Sequence, residues 1–187
     1  MAQMTEEQKT EFQIYFGFRS KLGIIWFLQC IFALLAVIGF LCPLFSYNPT
    51  KIDALKETVG MADVPIAIGG MAFLVLAVIL MMVTLRLLQK AILGKAQAAL
   101  GKKLVGVAVG IGVSILISVI MVGVAYILYD DPSFGYAYIE LDFEAGFYLF
   151  IIGSLIFFLF NLLFTVVARK VLNGKINREQ LLFTKKV

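Results

Sequence analysis

Few residues in this chain are of the types that carry out chemistry. Its 187 residues include no histidine and only two cysteines, Cys30 and Cys42. The missing histidine removes the usual ligand of b-type haem and of most catalytic zinc and non-haem iron sites, and the commonest proton shuttle near neutral pH. The two cysteines lie 12 residues apart, about 18 Å along one helix, so they cannot form a disulfide with each other. We expect both thiols to be small apolar packing groups.

Motifs for nucleophilic, metal-dependent and phosphate-binding chemistry are also missing. The sequence contains no HExxH zinc motif, no GxSxG nucleophile elbow and no CxxC pair. Its segment LGKAQAALGKK carries glycine and lysine without the spacing of a phosphate-binding loop, and it is typical of a basic helical connector. The sequence therefore predicts a protein that is not an enzyme, with no catalytic, cofactor-binding or metal-binding residue and no cofactor.

Two amide side chains lie inside long stretches that carry no charge. Gln29 is seven residues from the start of one such stretch, and Asn161 is seven residues from the end of another. At 1.5 Å per residue each lies roughly 10 Å below the membrane surface. We predict that they hydrogen-bond to one another across two neighbouring helices, which would contribute about 0.6 to 2 kcal/mol. The alternative is a polar contact to a substrate or cofactor inside the bundle.

Four charge-free stretches must position these residues. They hold 22 to 26 residues each, against roughly 20 needed to cross a hydrocarbon core of about 30 Å. The chain is 61% hydrophobic and 15% charged, with a mean hydropathy of +0.98, which lies outside the range of soluble domains. The runs are continuously apolar, which favours helices over barrel strands. The sequence predicts an all-α membrane protein, a four-transmembrane-helix bundle. Its parts are a cytoplasmic or interfacial segment 1–21, a transmembrane domain 22–168 with spans 22–45, 64–85, 104–129 and 145–168, and a basic tail 169–187.

The positions of the charged residues predict the orientation of this multi-pass protein. Of the 16 lysines and arginines, 14 lie before the first span, between the second and third spans, or after the fourth. The other two connections hold only Lys51 and Lys56, together with eight acidic residues. Because basic residues concentrate on the cytoplasmic side of membrane proteins, both termini should face the cytoplasm or an equivalent compartment such as the mitochondrial matrix. The particular membrane is not identified.

The third span carries a row of small residues. Gly106, Gly110, Ser114 and Ser118 recur at a spacing of four, which places them on one helical face. Small residues let a neighbouring helix approach closely in a bilayer, where no hydrophobic effect drives helices together. We predict that this row packs inside the bundle. A seam between two copies of the chain is the alternative.

Two regions outside the spans could meet partners. Basic residues near the predicted cytoplasmic surface would attract anionic lipid at about 1 kcal/mol per charge, although the positive-inside bias alone explains them. They include Lys90, Lys95, Lys102, Lys103, Arg169 and Lys170. On the other side, the acidic and aromatic segment 130–143 alternates from Tyr136 to Asp142, which indicates a short extended piece. It is either a docking surface for a protein or a solvated loop with interfacial aromatics.

The four spans, both termini on one side and the run GFYLFIIGS at 146–154 resemble the claudin/PMP22/Sur7-like tetraspan proteins. The resemblance implies a four-helix bundle and a role in organising membranes or in adhesion. Claudins carry a tryptophan and two cysteines in a long first extracellular segment. Here that segment is only about 18 residues, 46–63, and it has neither residue type. No functional residue is therefore carried over.

These observations favour a non-catalytic tetraspan that is a structural or accessory subunit of a larger membrane complex. Its expected partners are the lipid bilayer, anionic lipids and other membrane subunits, and no nucleic acid. One alternative is an autonomous claudin-like organiser that forms lateral arrays of its own copies. A second is a small carrier or pore for a neutral solute, with a cleft lined by Gln29, Asn161 and the serines.

Overall fold

The computed structural model describes residues 20–48, 57–59, 64–92, 97–130 and 140–173. Within these ranges four helices are each long and apolar enough to cross a membrane. This confirms the predicted all-α four-helix bundle of an integral multi-pass membrane protein. The predicted segment 1–21 lies outside the described residues except for its last two, and so does the tail beyond residue 173. The helices are α1 (Lys21–Leu41), α2 (Pro65–Ile92), α3 (Gln97–Asp130) and α4 (Ala145–Leu172).

The ends of α1 follow from local sequence. At its start the Ser20 hydroxyl accepts a hydrogen bond from the Leu22 amide at 3.2 Å, which caps an otherwise unpaired backbone donor. At its end Cys42 is extended, with φ −81° and ψ 163°, because the ring of Pro43 disfavours a helical conformation in the preceding residue. The helix therefore stops at Leu41, four residues before the end of the charge-free stretch, and Phe45 begins a strand instead.

Three short strands form an antiparallel sheet at one end of the bundle. They are β1 (Phe45–Asn48), β2 (Glu57–Val59) and β3 (Glu140–Phe143), in the order β2-β1-β3. Phe45 lies opposite both Val59 and Phe143 in this register, so the sheet joins the first and last connections. The extended piece expected over 136–142 is strand from residue 140, and residues 131–139 lie outside the described ranges. We call this the sheet end, and the opposite end, where α2 stops and α3 begins, the basic end.

Three apolar clusters stack along the bundle from the sheet end to the basic end. The sheet-end cluster includes Phe40, Phe45 and Phe150, the middle cluster Ala33, Met81, Ile111 and Phe157, and the basic-end cluster Leu22, Leu88, Leu104 and Phe164. Each cluster draws residues from all four helices, as expected for a bundle whose neighbours run antiparallel. The clusters hold α1 against α4 and α2 against α3 more closely than they hold these two pairs to each other.

Candidate functional site

The seam between α1 and α4 is closed by glycine. A side chain added at Gly153 would place its Cβ 2.6 Å from the backbone nitrogen of Ala36, and one at Gly39 would lie 2.8 Å from the carbonyl carbon of Leu149 and would also meet the Phe150 nitrogen. Real Cβ atoms do not come so close to backbone. The two helices therefore touch backbone to backbone, which is how membrane helices gain dispersion energy without a hydrophobic driving force.

Sequence reasoning overlooked these glycines, although a signal for them exists. Most buried residues of α4 follow one another at intervals of three or four residues. Gly146 and Gly153 occupy two of these positions, seven residues apart. That period is the signature of left-handed helix pairing. The buried positions of α4 are Gly146, Phe150, Gly153, Ser154, Phe157, Asn161, Phe164, Ala168 and Leu172.

The predicted row of small residues on the third span lies on α3, partly in its contact with α2. A Cβ added at Gly110 would lie 3.2 Å from Cδ1 of Leu80. The Ser118 carbonyl lies 3.2 Å from the position a Cβ at Gly70 would take, and Ser114 and Ser118 are both buried. Gly106 differs, because it is exposed and no heavy atom of the described residues lies within 4 Å of an added Cβ.

The seam between α3 and α4 stays open as an apolar groove. Its cavity volume is about 670 Å³, and it runs along both helices over 14 residues, about 20 Å. We call this cavity the α3/α4 groove. Its walls on α3 are Val105, Ala108, Val109, Gly112, Val113, Ile115, Leu116 and Val119, and its walls on α4 are Ile151, Ser154, Leu155, Phe158, Leu162 and Thr165.

Small and hydroxyl-bearing residues interrupt the otherwise bulky lining of the α3/α4 groove. Ala108, Gly112 and Ser154 lie between larger apolar neighbours. The Ser154 hydroxyl is buried and has no hydrogen-bond partner in the described part of the chain. At one edge, the Thr165 hydroxyl donates to the Asn161 carbonyl of its own helix at 2.8 Å. The groove is therefore apolar with a single unsatisfied hydroxyl.

Asn161 ties α4 to α3 rather than to α1. Its Nδ2 donates to the Ala108 carbonyl at 3.0 Å. The predicted hydrogen bond between Gln29 and Asn161 is not formed, because among the described residues neither polar atom of Gln29 has a partner and Oδ1 of Asn161 has none either. The reason is that α4 borders α3 as well as α1, and the Asn161 amide points toward the backbone of α3. Both side chains are nevertheless buried, Gln29 at 0% and Asn161 at 1% exposure.

Gln29 and Asn161 occupy the same level of the bundle. Gly153 on α4 packs against Ala36 on α1, and these two helices run antiparallel. Two turns from this contact toward the basic end, Gln29 on α1 therefore lies level with Asn161 on α4. At this level, between the middle and basic-end clusters, each helix buries one residue. We call these four residues the polar layer: Gln29, Thr84, Ala108 and Asn161.

The basic residues singled out as lipid contacts fall at the basic end where the structure describes them. Lys102 and Lys103 on α3 are exposed, and so are Arg169 and Lys170 on α4. The backbone of Lys90 belongs to α2, but its side chain lies outside the described part, as does all of Lys95. Four of the six predicted lipid contacts are therefore exposed cationic side chains at the basic end.

The cysteines and acidic residues do not come together where they are described. Cys30 and Cys42 are free thiols, each half-buried. The described ranges contain no group of three or more cysteine, aspartate or glutamate residues placed to hold a metal ion. Among the described residues, the α3/α4 groove offers room and the polar layer holds three buried polar atoms without a partner. Trp26, Ser46, Ser118 and Ser154 hold one such atom each elsewhere.

Comparisons with known proteins return no relative. No family model, no curated protein and no solved structure matches this chain. The features that bear on function are therefore the groove, the polar layer and the distribution of charge.

Proposed function

We propose that the protein is a non-catalytic tetraspan that serves as a structural or accessory subunit of a larger membrane complex. The observation that carries the proposal is the α3/α4 groove, which would receive a transmembrane helix of a partner subunit. The four predicted spans contain no Asp, Glu, Lys, Arg or His, which supports a non-enzymatic role, since chemistry or ion passage in a membrane usually depends on such groups.

The shape of the α3/α4 groove suits a helix. The groove extends about 20 Å along α3 and α4, which is most of one transmembrane crossing. Exposed apolar side chains border it on both helices, among them Val109 and Leu116 on α3 and Leu155 and Leu162 on α4. A third helix would pack between these two rows.

A lipid acyl chain is the competing occupant. The Ser154 hydroxyl does not discriminate between the two, because Ser154 is 0% exposed and its hydroxyl has no open surface in the groove. The proposal commits to a helix because exposed apolar side chains border the groove on both α3 and α4, which offers a partner helix a surface on two sides.

The groove can be tested by filling it. Leu116 on its wall is 58% exposed, and Leu34 on the lipid-facing side of α1 is 59% exposed, so the pair makes a matched comparison. In native gels of mildly solubilised source membranes, wild-type chain should migrate in a complex with a second membrane protein. Leu116→Trp should release the chain from that complex, and Leu34→Trp should not. Equal migration of both variants with the wild type, or migration of the wild type as a lone monomer, would contradict the proposal.

We further propose that the basic end faces the cytoplasm or matrix and contacts anionic lipid. The charge asymmetry of the sequence and the exposed Lys102, Lys103, Arg169 and Lys170 support this orientation. Reporter fusions within 93–96 should report the cytoplasmic side, and fusions within 131–139 the opposite side. A fluorescence-quenching titration would compare anionic with neutral lipids of the same acyl-chain length. The wild type should contact the anionic lipid preferentially, and a variant with all four of these residues replaced by glutamine should show a smaller preference. Equal contact would overturn the lipid part of the proposal.

A second candidate is an autonomous membrane organiser of the claudin/PMP22/Sur7 kind. The sheet that joins the two connections favours it, because β2 and β3 are the outer strands of this sheet in the described part of the chain. Exposed edges can pair with other copies of the same sheet. The native-gel experiment discriminates the two candidates, since an organiser would migrate as multiples of its own mass and Leu116→Trp would leave the ladder unchanged.

A further inference from the structure

The polar layer holds several buried groups that need hydrogen bonds. Both polar atoms of Gln29, Nε2 and Oε1, are buried and unpartnered in the described part of the chain, and so is Oδ1 of Asn161. One turn from Gln29 toward the basic end, Nε1 of Trp26 is also buried without a partner there. Donors and acceptors from two helices are thus brought to one level.

Burial of such groups without hydrogen bonds costs free energy, and apolar surroundings raise that cost. The buried side chains of the middle cluster above and the basic-end cluster below are apolar and offer the layer no hydrogen bond, and the Trp26 indole at the edge of the basic-end cluster makes none to it. Thr84 is already engaged, because its hydroxyl donates to the Met81 carbonyl at 2.6 Å. Buried polar groups in proteins are normally satisfied, frequently by an ordered small molecule with two to four hydrogen bonds.

The donor and acceptor set defines the chemistry of the ligand. Gln29 offers two donor hydrogens on Nε2 and an acceptor on Oε1, and Asn161 offers an acceptor on Oδ1. A cation would meet no negative charge in this layer, and an anion would face two acceptor oxygens. A neutral molecule with two O–H or N–H hydrogens and one acceptor atom satisfies both residues at once.

We propose that Gln29 and Asn161 form an internal binding site for a small neutral molecule that both donates and accepts hydrogen bonds, water being the smallest. The molecule donates to Oε1 of Gln29 and Oδ1 of Asn161 and accepts from Nε2 of Gln29. The bond from Asn161 Nδ2 to the Ala108 carbonyl orients Asn161 so that Oδ1 stays free to accept. This site does not depend on a partner subunit.

Water is the probe for the test, which uses the full chain in lipid bilayers. Solid-state NMR would follow magnetisation from water protons to amide nitrogens in chain labelled at glutamine, asparagine, alanine and phenylalanine, with Gln29→Met used to assign the Gln29 side-chain signal. The Gln29 amide should receive water magnetisation within milliseconds. The backbone amides of Ala33 and Phe157, in the neighbouring middle cluster, should receive it several-fold more slowly.

Two results would overturn the proposal. The first is a Gln29 signal that builds up as slowly as the signal of Ala33. The second is an unchanged Gln29 build-up in Asn161→Leu, or in Asn161→Ala where the leucine variant fails to fold, because a shared site requires Oδ1 of Asn161. At least a twofold slower build-up in that variant is expected. Thr165→Val, which removes a hydroxyl outside the layer, should leave the build-up unchanged.

Discussion

The helix α4 makes two seams of opposite character. Toward α1 it presents glycines on a heptad spacing, and backbone meets backbone at Gly39, Gly146 and Gly153. Toward α3 it presents Leu155, Phe158 and other bulky walls, and the seam remains open as the α3/α4 groove. The tight α1/α4 seam gains its packing energy from contacts within this chain. The open α3/α4 seam can gain further packing energy only from contacts with another molecule. We therefore expect the fold to depend more on the α1/α4 seam than on the α3/α4 seam, where the proposed association takes place.

The largest effect should come from removing an aromatic ring at the closed seam. Phe150 is fully buried, and its ring meets the ring of Phe40 edge to face at 4.9 Å between centroids. Phe150→Ala should destabilise the folded state by about 3 to 5 kcal/mol. Phe158→Ala, which enlarges a groove that is already open, should cost about 1 kcal/mol. Reversible unfolding in mixed micelles measures both, and equal losses would break the distinction between the seams.

Adding atoms at the closed seam should come next. Gly153→Val places side-chain atoms where the backbone of Ala36 lies, so the helices must separate, and we expect a loss of about 3 kcal/mol. Gly106→Ala is the matched control, because its added Cβ meets nothing within 4 Å among the described residues. That variant should be neutral or more stable by up to about 1 kcal/mol, as expected for alanine over glycine in a helix. A tolerated Gly153→Val would show that α1 and α4 are not in backbone contact.

The smallest effect should come from the hydrogen bond that crosses the open seam. Asn161→Leu removes the bond to the Ala108 carbonyl, which keeps its bond within α3, so the expected loss is about 0.6 to 2 kcal/mol. Thr165→Val removes only a bond within α4 and should change stability by less than about 0.5 kcal/mol. The same unfolding assay applies. A loss in Thr165→Val as large as that in Asn161→Leu would indicate that the seam-crossing bond has no special weight.

Much of the bundle could be predicted from the sequence, because charge-free stretches of sufficient length have few other solutions in a membrane. The four helices and their number followed from that rule. Their ends required local detail, since α1 stops before Pro43 although the apolar residues continue to Phe45. The sheet was foreseen only as an extended piece, because β3 is short and its partner β1 belongs to a different connection, which the pattern of β3 does not reveal.

The candidate site was harder to predict, because it depends on which faces meet. Polar residues at matching depth identified Gln29 and Asn161 as buried, but their hydrogen-bond partners depend on the rotation of each helix. Asn161 reaches the backbone of Ala108, and a backbone carbonyl leaves no trace in the sequence. The α3/α4 groove left no signal for the same reason, since Leu155 and Phe158 are as apolar as any lipid-facing residue.

The most direct test of the central claim is photocrosslinking from inside the α3/α4 groove. A benzophenone amino acid at Leu116 or Leu155, compared with one at Leu34, would be activated in source membranes before solubilisation. The account predicts that both groove positions crosslink to the same membrane protein, at sites within one of its transmembrane helices, and that Leu34 yields lipid adducts. Lipid adducts at all three positions, or crosslinks only to a second copy of this chain, would contradict it.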